Sequence, residues 1–589
     1  MLERPRIAIP GCGTVEGIQA ESQPNVAKFL NIPYATIPQR WRPAARASAW
    51  QEIRDCSVLG PACPQPANDN PLANLTNDLK TAEALTSIHY SEEYCLNLNI
   101  YAPLEHLTKA QTLIPVMVWI HGGGFLSGSN ALPIYEGTNF VARSIQLGRP
   151  VILVTINYRL NYLGFLSSRE LVQDVHSPGQ DPGLNKSVGN WGLLDQKMAL
   201  EWVRDHIHVF GGNAGDVTVF GESAGATSIA YHLLIPEHHG LFQRAILQSG
   251  ATTTMAAGRA EIEGQRYFDH LCGYFKLEHL TGDEKVDRLR AIPATELVKA
   301  GDRGKVGMFI PTIDGVLIKE DARGTVHDPA SYDPGLKAVM LGDCGDEGQA
   351  FVPVLGARRM KRWEKFLARY CPPTEEDRKA FEAIYGIPTT DKESRKISAE
   401  VLSDAVFGYP IHATSVALMK ALGPEENTGC KDNKSTTELE MVRFHFDRPL
   451  KLLDDMGLRV LGAYHGSELP YVFGSDSSLL TLSSEEKQLS QRMMDLWILF
   501  AWGETSRQYG LRHGLRSLLP RDATVSGGLG GGGLWQEAIV FTADCTLERG
   551  WTERMGQRKA EFWSRYEQWI RKRRANQYAA FIKISQTKL

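Results

Sequence analysis

The sequence has few features that would place the protein in a membrane or on a nucleic acid. Of its 589 residues 43% are hydrophobic, but the apolar runs are short, as from Val151 to Ile156, whereas a membrane-spanning helix needs about 20 apolar residues. Lys and Arg number 64 against 68 Asp and Glu, a net charge of -4, which gives no excess of positive charge for a nucleic acid. We therefore expect no membrane span and no nucleic-acid partner.

The sequence also lacks the patterns that mark secreted and metal-binding proteins. Its first residues contain no continuous apolar stretch of the kind found in secretory signal peptides. The nine cysteines are an odd number and are scattered along the chain without metal-ligand spacing. We therefore expect a cytoplasmic protein with mostly buried thiols, no metal and no cofactor. The oligomeric state cannot be read from the sequence.

The organisation of the chain points to one large domain. No linker-like stretch divides the sequence, so we expect a single domain over residues 1–589 with long insertions. Apolar strands are predicted near residues 113–120, 150–157 and 217–220, with a helical pattern over residues 193–209. Strands that alternate with helices predict the α/β class, with a mostly parallel central sheet flanked by helices.

The most specific local pattern is Gly221-Glu222-Ser223-Ala224-Gly225. It directly follows the apolar strand Val217-Thr218-Val219-Phe220 and precedes a run that is compatible with a helix. A G-x-S-x-G turn between a strand and a helix is the nucleophile elbow of hydrolases. The glycines allow the sharp turn, and the serine lies at a helix N-terminus, where the helix dipole favours negative charge. The pattern predicts Ser223 as a nucleophile.

A second glycine-rich segment, His121-Gly122-Gly123-Gly124-Phe125, follows the apolar strand that ends at Ile120. Acyl transfer passes through a tetrahedral oxyanion that needs backbone N–H donors. We predict that Gly123, Gly124 and Ala224, the residue after the nucleophile, supply these donors. His121 is a possible base by residue type, but its place beside the turn favours a structural role.

A serine nucleophile needs a histidine base and an acid that orients it. In hydrolases with this elbow the chain order is nucleophile, acid, histidine. The turn at residues 342–348 contains several carboxylates and follows an apolar strand, and His465 lies at a similar position after residues 460–464. From position alone, Asp346 and Glu347 are both candidates for the acid, and sixteen histidines compete for the base.

Taken together, these motifs resemble the type-B carboxylesterases, the family that includes cholinesterases and many fungal lipases and esterases. The similar segments extend over nearly the whole chain and are Asn31–Ala35, Cys95–Tyr101, Asn157–Leu160, Gly189–Gln196 and Phe210–Gly225. The resemblance implies an α/β-hydrolase fold.

The resemblance also implies roles for individual residues. Glu347 would be the acid of the triad and His465 the base. Ser403, Asp404 and Phe407 match another family segment, which we interpret as support of the site.

The sequence departs from the family pattern in its cysteines and in one loop. Cys63 and Cys95 match the first disulfide pair of the family, and Cys272 matches one member of the second. The expected partner of Cys272 falls at Arg288, so that bridge is missing, which favours a cytosolic member with reduced thiols. The loop from Cys63 to Cys95 contains no tryptophan. Choline esters, which need an aromatic face for their ammonium group, are therefore not expected as substrates.

These observations predict a carboxylic ester hydrolase that acts on a small-molecule ester through an acyl-serine intermediate. Two alternatives use the same scaffold: a biosynthetic acyltransferase or thioesterase-like releasing enzyme, and a non-catalytic binding protein. Glu222, beside the nucleophile, either assists a cationic His465 through its negative potential or is a polar neighbour without a role. The fold does not identify the natural ester.

Overall fold

The computed structural model describes residues 4–66, 88–109, 112–176, 186–301, 308–422, 440–450, 462–475, 482–504, 537–541, 546–549 and 557–586. The chain divides into two compact units. The first comprises Met1–Met340, Ala417–Val442 and Leu469–Gly514, and the second comprises Leu341–Val416, Arg443–Glu468 and Leu515–Leu589. Each unit is thus built from segments that are distant in sequence. The single domain over residues 1–589 remains a prediction.

A sheet with a parallel centre forms the framework of the first unit. Its parallel strands are, in spatial order, Arg244–Gln248, Gly212–Glu222, Ile114–Ile120 and Ile152–Ile156. Three antiparallel strands extend it beyond Ile152–Ile156, in the order Asn97–Pro103, Val26–Pro33 and Ile18–Gln19. All seven residues of Ile114–Ile120 are buried, as expected of a parallel strand covered on both faces.

The predicted elements of this unit occur at the expected places. The strands predicted near residues 113–120 and 150–157 are Ile114–Ile120 and Ile152–Ile156. The strand predicted at residues 217–220 is longer, Gly212–Glu222, and the helix predicted over residues 193–209 is Trp191–His206. The prediction of a mostly parallel central sheet flanked by helices is confirmed.

The first unit also contains short strands and covering helices. The remaining strands are Arg6–Ile9, Gly13–Glu16, Ala35–Thr36, Ala45–Arg46, Arg54–Asp55, Gly258–Arg259 and Thr312–Ile313. Its other α-helices are Leu104–Lys109, Thr138–Gln146, Asn161–Phe165, Arg169–His176, Ala224–Leu234, Gln265–Tyr274, Gly282–Ala291, Ala294–Lys299, Ala322–Thr325, Leu469–Phe473 and Ser484–Ala501. No helix among the described residues is long and apolar enough to cross a membrane.

The second unit is mainly helical in the part that the structure describes. Its α-helices are Val352–Leu355, Trp363–Tyr370, Glu375–Tyr385, Asp391–Leu402 and Gln557–Gln586, and two of its strands are Glu537–Phe541 and Thr546–Arg549. The division between the units falls within three elements, Ala338–Cys344, Tyr409–Leu422 and Glu440–Phe446.

Aromatic side chains form the core of this unit. Phe562 and Trp563, from the last helix, are fully buried. The Trp563 indole N–H donates a hydrogen bond of 2.8 Å to the Tyr385 hydroxyl, and the Phe562 ring lies 5.8 Å from that of Phe381. The first half of the helix Gln557–Gln586 thus packs against the rest of the unit.

Candidate active site

Ser223 occupies a sharp turn between a strand and a helix. The strand Gly212–Glu222 ends immediately before it, and the helix Ala224–Leu234 begins immediately after it. Its backbone angles are φ 56° and ψ -117°, a conformation that costs a non-glycine residue about 1–3 kcal/mol. The surrounding structure imposes this strain, which is a frequent property of functional positions.

The two glycines of the elbow are required by close packing. A Cβ atom at Gly225 would lie 2.0 Å from the carbonyl oxygen of Ile120, and one at Gly221 would lie 2.6 Å from the same atom. Both distances are well below a van der Waals contact. The elbow therefore fits against the end of the strand Ile114–Ile120 only if both positions lack a side chain.

The segment His121–Phe125, which we call the oxyanion loop, passes directly beside the elbow. A Cβ atom at Gly122 would lie 3.1 Å from the Cβ of Ser223. Gly123 and Gly124 have φ angles of 106° and 66°, which glycine adopts without a steric penalty. The loop thus brings the backbone of the two predicted oxyanion donors to the neighbourhood of Ser223.

His121 is part of the support of this loop. Its ring is fully buried and stacks on Tyr158 with a centroid distance of 4.5 Å. Its Nδ1 atom donates a hydrogen bond of 2.9 Å to the carbonyl of Gly122, and burial lowers the pKa of His121 to about 4. The imidazole is therefore neutral near pH 7, and its contacts agree with the structural role expected from the sequence.

The second unit brings Glu347 and His465 together. Glu347 follows the strand Ala338–Cys344 in a segment, Gly345–Gly348, that we call the acid turn. The Oε2 atom of Glu347 lies 2.5 Å from Nδ1 of His465. Its Oε1 atom accepts a hydrogen bond of 2.7 Å from the backbone N–H of Cys344. Glu347 has only 1% of its surface exposed, and the contacts of its two oxygens hold the carboxylate in place.

Asp346, the other candidate acid, has a different partner. Its Oδ2 atom accepts a hydrogen bond of 3.2 Å from the backbone N–H of Ala463. A Cβ atom at Gly462 would lie 2.0 Å from the same oxygen, so the carboxylate packs closely against the segment that precedes His465. The two adjacent carboxylates thus face different groups.

The expected strand before His465 is not found in the described residues. Residues 460 and 461 lie outside them, and residues 462–464 form no strand. Gly462 has a φ of 57°, which breaks an extended conformation. His465 therefore lies in a turn, and the expectation that it ends a strand is wrong for residues 462–464.

Two phenylalanine rings pack against the His465 imidazole. The ring of Phe407 lies 4.5 Å from it and that of Phe351 lies 5.1 Å from it. Phe407 belongs to the segment interpreted as support, whereas Phe351 was missed. It stands four residues after Glu347, at the end of the 3₁₀ helix Glu347–Phe351, and no pattern in the sequence indicates its contact with His465.

The other predicted supporting residues bind different groups. The Ser403 hydroxyl accepts a hydrogen bond of 2.8 Å from the backbone N–H of Gly348, in the acid turn. The Asp404 carboxylate accepts one of 2.6 Å from the Tyr385 hydroxyl and forms an ion pair of 2.8 Å with Lys559. Ser403 thus supports the acid turn directly, and Asp404 contributes to the packing of the second unit.

The predicted site residues are distributed over both units. Ser223, Ala224, Gly123 and Gly124 belong to the first unit, and the Glu347–His465 pair belongs to the second. Glu222, beside the nucleophile, is buried, and its Oε2 atom would lie 2.5 Å from a Cβ atom at Gly122. No group of three His, Cys, Asp or Glu side chains in the described part of the chain could hold a metal ion.

Several known proteins are similar in sequence to this chain over most of its length. The model of the carboxylesterase family matches residues 3–515. A para-nitrobenzyl esterase of Bacillus subtilis (strain 168) is 30% identical over 515 residues, which cover 82% of this chain and 88% of that protein. A liver carboxylesterase of Sus scrofa is 31% identical over 525 residues, 85% of each chain. An acetylcholinesterase of Bungarus fasciatus is 30% identical over 506 residues, 81% of this chain and 75% of that protein.

Proposed function

Because the chain belongs to the carboxylesterase family and is a serine ester hydrolase, we propose that it hydrolyses small-molecule carboxylic esters with Ser223 as nucleophile, His465 as base and Glu347 as orienting acid. The observation that carries the proposal is the elbow, which holds Ser223 in a strained conformation at a helix N-terminus. The contact of 2.5 Å between Glu347 and His465 supports the other two assignments.

The proposed reaction begins with attack of Ser223 Oγ on the ester carbonyl carbon. Nε2 of His465 accepts the hydroxyl proton, and the carbonyl π electrons move to oxygen. The backbone N–H groups of Gly123, Gly124 and Ala224 stabilise this oxyanion. When the tetrahedral intermediate collapses, the C–O bond to the alcohol breaks, and the alcohol leaves with the proton from His465.

Water completes the proposed cycle. His465 removes a proton from the water molecule, whose oxygen attacks the acyl-serine carbonyl, and the second tetrahedral intermediate releases the carboxylic acid and restores the Ser223 hydroxyl. Glu347 accepts the imidazole N–H throughout and stabilises the imidazolium by its negative charge. No step of this cycle requires a metal or an organic cofactor. Glu222, buried beside the nucleophile, either adds negative potential that assists a cationic His465 or is a polar neighbour without a role.

A fluorophosphonate probe tests the nucleophile. We expect Ser223 to be the labelled residue and Ser223→Ala to lose labelling, with kcat lower by roughly 10³ to 10⁶. Ser228→Ala is the matched control, since Ser228 lies on the same helix and donates to the Ala224 carbonyl. The Ser228→Ala variant should still be labelled by the probe. Labelling of Ser223→Ala at the wild-type level would show that the nucleophile is another residue.

Product analysis tests hydrolysis against the acyltransferase and thioesterase-like alternatives. A panel of small esters is incubated with and without alcohol or amine acceptors, and free acid should be the main product in both cases. Choline esters should be poor substrates. A dominant acyl-transfer product at low acceptor concentration would favour the transferase. An unlabelled Ser223 and no turnover of any ester would favour the non-catalytic binding protein.

The proposal includes a cytoplasmic location. It is supported by Arg288, which stands where the family has the partner of Cys272, so that one disulfide of the family cannot form in this chain. In the cytosol Cys63 and Cys95, which match the other pair, would stay reduced thiols. A fluorescent fusion should remain in the cytoplasm, and mass spectrometry should find both thiols accessible to alkylation after denaturation. A Cys63–Cys95 disulfide in protein isolated from the culture medium would contradict this location.

A further inference from the structure

Cys344 lies between two buried carboxylates. It is the last residue of the strand Ala338–Cys344, and its backbone N–H donates to Glu347. Its side chain points to a second acid, with Sγ 3.1 Å from Oε2 of Glu468. Neither carboxylate has more than 1% of its surface exposed. One residue therefore contacts the proposed catalytic acid and a further carboxylate that the proposed reaction does not use.

The chemistry of these groups fixes the direction of the second hydrogen bond. An ionised carboxylate can only accept, so the thiol must donate. Burial, together with the Glu468 and Glu347 carboxylates, raises the pKa of the Cys344 thiol well above its usual value, and the thiol stays protonated. A buried carboxylate that loses a donor is costly to keep charged and tends to bind a proton instead.

Glu468 belongs to the same turn as His465. The segment His465–Glu468, which we call the histidine turn, contains Gly466 with a φ of 81°. The Ser467 hydroxyl within it lies 3.9 Å from the Cys344 sulfur. Cys344 thus connects the acid turn, through its backbone, with the histidine turn, through its side chain.

We propose that Cys344 is a positioning residue, whose thiol holds Glu468 as a carboxylate and thereby fixes the histidine turn and the charge around His465. The proposal rests on the proposed function, since it assigns His465 as the base. Two negative charges near an imidazole inside a protein stabilise the imidazolium that forms during the reaction more than one does.

Two other titratable groups lie near the sulfur. Asp343 is paired with His445. The Oδ1 atom of Asp343 lies 2.6 Å from the Nδ1 atom of His445. Tyr464 is buried, and burial together with Cys344 and Glu468 raises its pKa, so its hydroxyl is neutral near pH 7. Substitution of Cys344 leaves both of these groups in place, and Glu468 is the group that loses its thiol donor.

The test compares Cys344→Thr with Cys344→Val, because the two side chains have nearly the same shape and only threonine can donate a hydrogen bond. In Cys344→Val we expect kcat to fall about 10- to 100-fold, with KM changed by less than about threefold. The acidic limb of kcat/KM should move to lower pH by about half a unit or more, because a protonated Glu468 no longer favours the imidazolium. Cys344→Thr should keep both properties close to wild type.

Infrared spectroscopy gives a second readout that needs no turnover. At neutral pH, Cys344→Val should show the carbonyl stretch of an additional protonated carboxylic acid, which is absent from the wild type and from Cys344→Thr. Cys371→Val is the control for removal of a buried thiol in the same unit, because the Cys371 thiol donates to the backbone carbonyl of Pro372. It should show neither the band nor the shift of the pH profile.

The outcomes separate this inference from the proposed function. A Cys344→Val enzyme with the wild-type pH profile and no new band overturns the role of Cys344, even if the amount of folded protein falls. If that variant does not fold, Cys344→Ala is measured by the same two readouts, and the same result from it overturns the role. If Ser223 of the wild type is not labelled by the fluorophosphonate, the proposed function fails, and the infrared band alone decides whether the Cys344 thiol keeps Glu468 charged.

Discussion

Glu347 and Asp346 are adjacent in the acid turn, and the choice between them can be tested by removing one charge at a time. Glu347→Gln keeps the shape of the side chain that contacts His465 but removes its charge. We expect kcat to fall by about 10² to 10⁴, because the amide no longer stabilises the imidazolium and can favour the wrong tautomer. Steady-state kinetics on the purified variant measures this fall.

Asp346→Asn is the matched control for that experiment. Its carboxylate accepts from the backbone N–H of Ala463, and an amide oxygen can accept the same bond. Its kcat should therefore fall by about tenfold or less. Circular dichroism should show both variants folded. A severe loss of kcat in Asp346→Asn together with a nearly normal kcat in Glu347→Gln would show that Asp346 is the acid.

At the scale of single residues, the sequence indicates the groups that belong to a motif but not their partners. Ser223 follows from its pattern alone, since the strand, the glycines and the helix are contiguous. Glu347 needed the family resemblance, because two carboxylates share its turn. The contacts of Phe351 and Cys344 could not be predicted. They depend on a turn whose geometry is set by the packing of residues more than a hundred positions apart.

At the scale of elements, the fit of the elbow against the strand Ile114–Ile120 leads to a prediction about stability. Gly225→Ala places a Cβ atom 2.0 Å from the carbonyl oxygen of Ile120. Since backbone atoms cannot move aside as a flexible side chain does, we expect the free energy of unfolding to fall by about 1–3 kcal/mol or more. Urea denaturation followed by tryptophan fluorescence measures the change.

Gly273→Ala is the control for the effect of an added methyl group. Gly273 lies in the helix Gln265–Tyr274. The atom nearest to a Cβ added at this position would be Oε1 of Glu278, at 3.7 Å. This change should be neutral or should stabilise by about 0.5–1 kcal/mol through helix propensity. Equal urea midpoints for the Gly225 variant and the wild type would show that the elbow can be repacked.

Element types could be predicted from the sequence better than element ends. The buried strands of the first unit read as continuous apolar runs, so Ile114–Ile120 and Ile152–Ile156 were placed within two residues at each end. The strand Gly212–Glu222 was predicted too short. Its first half contains Asn213 and Gly215, which have low strand propensity, and tertiary pairing with Ile114–Ile120 extends it.

At the scale of the whole molecule, the sequence does not reveal how the chain is partitioned. The absence of a linker predicts a single domain over residues 1–589, which remains a prediction. The contacts within the chain group its residues into two compact units assembled from separate segments. Each unit takes strands and helices from positions hundreds of residues apart. Hydrophobic periodicity reports on the neighbours of a residue along the chain, and it contains no information on which distant segments pack together.

The buried histidines of the first unit predict how the stability of the whole molecule depends on pH. His232 and His238 are buried with their Nδ1 atoms 2.6 Å apart, and Nε2 of His232 lies 2.8 Å from Gln196 Oε1. Burial lowers the pKa of His232 to about 3 and that of His238 well below its usual value. Both rings are therefore neutral in the folded protein over the mildly acidic range, whereas in the unfolded chain they titrate near pH 6.5.

The sign of the effect follows from the protons that each state binds. Below about pH 6.5 the unfolded chain takes up protons that the folded protein excludes, so the free energy of unfolding falls as the pH is lowered from 6.5 toward 3. Each histidine contributes a slope of about 1.4 kcal/mol per pH unit once the unfolded form is fully protonated.

His238→Asn, which keeps a donor near His232, should reduce the total slope between pH 6 and 5 by about that amount. The control His279→Asn makes the same substitution at an exposed side chain. Urea midpoints measured at half-unit pH steps provide the slopes, and parallel curves for His238→Asn and the wild type would contradict the contribution of this buried pair.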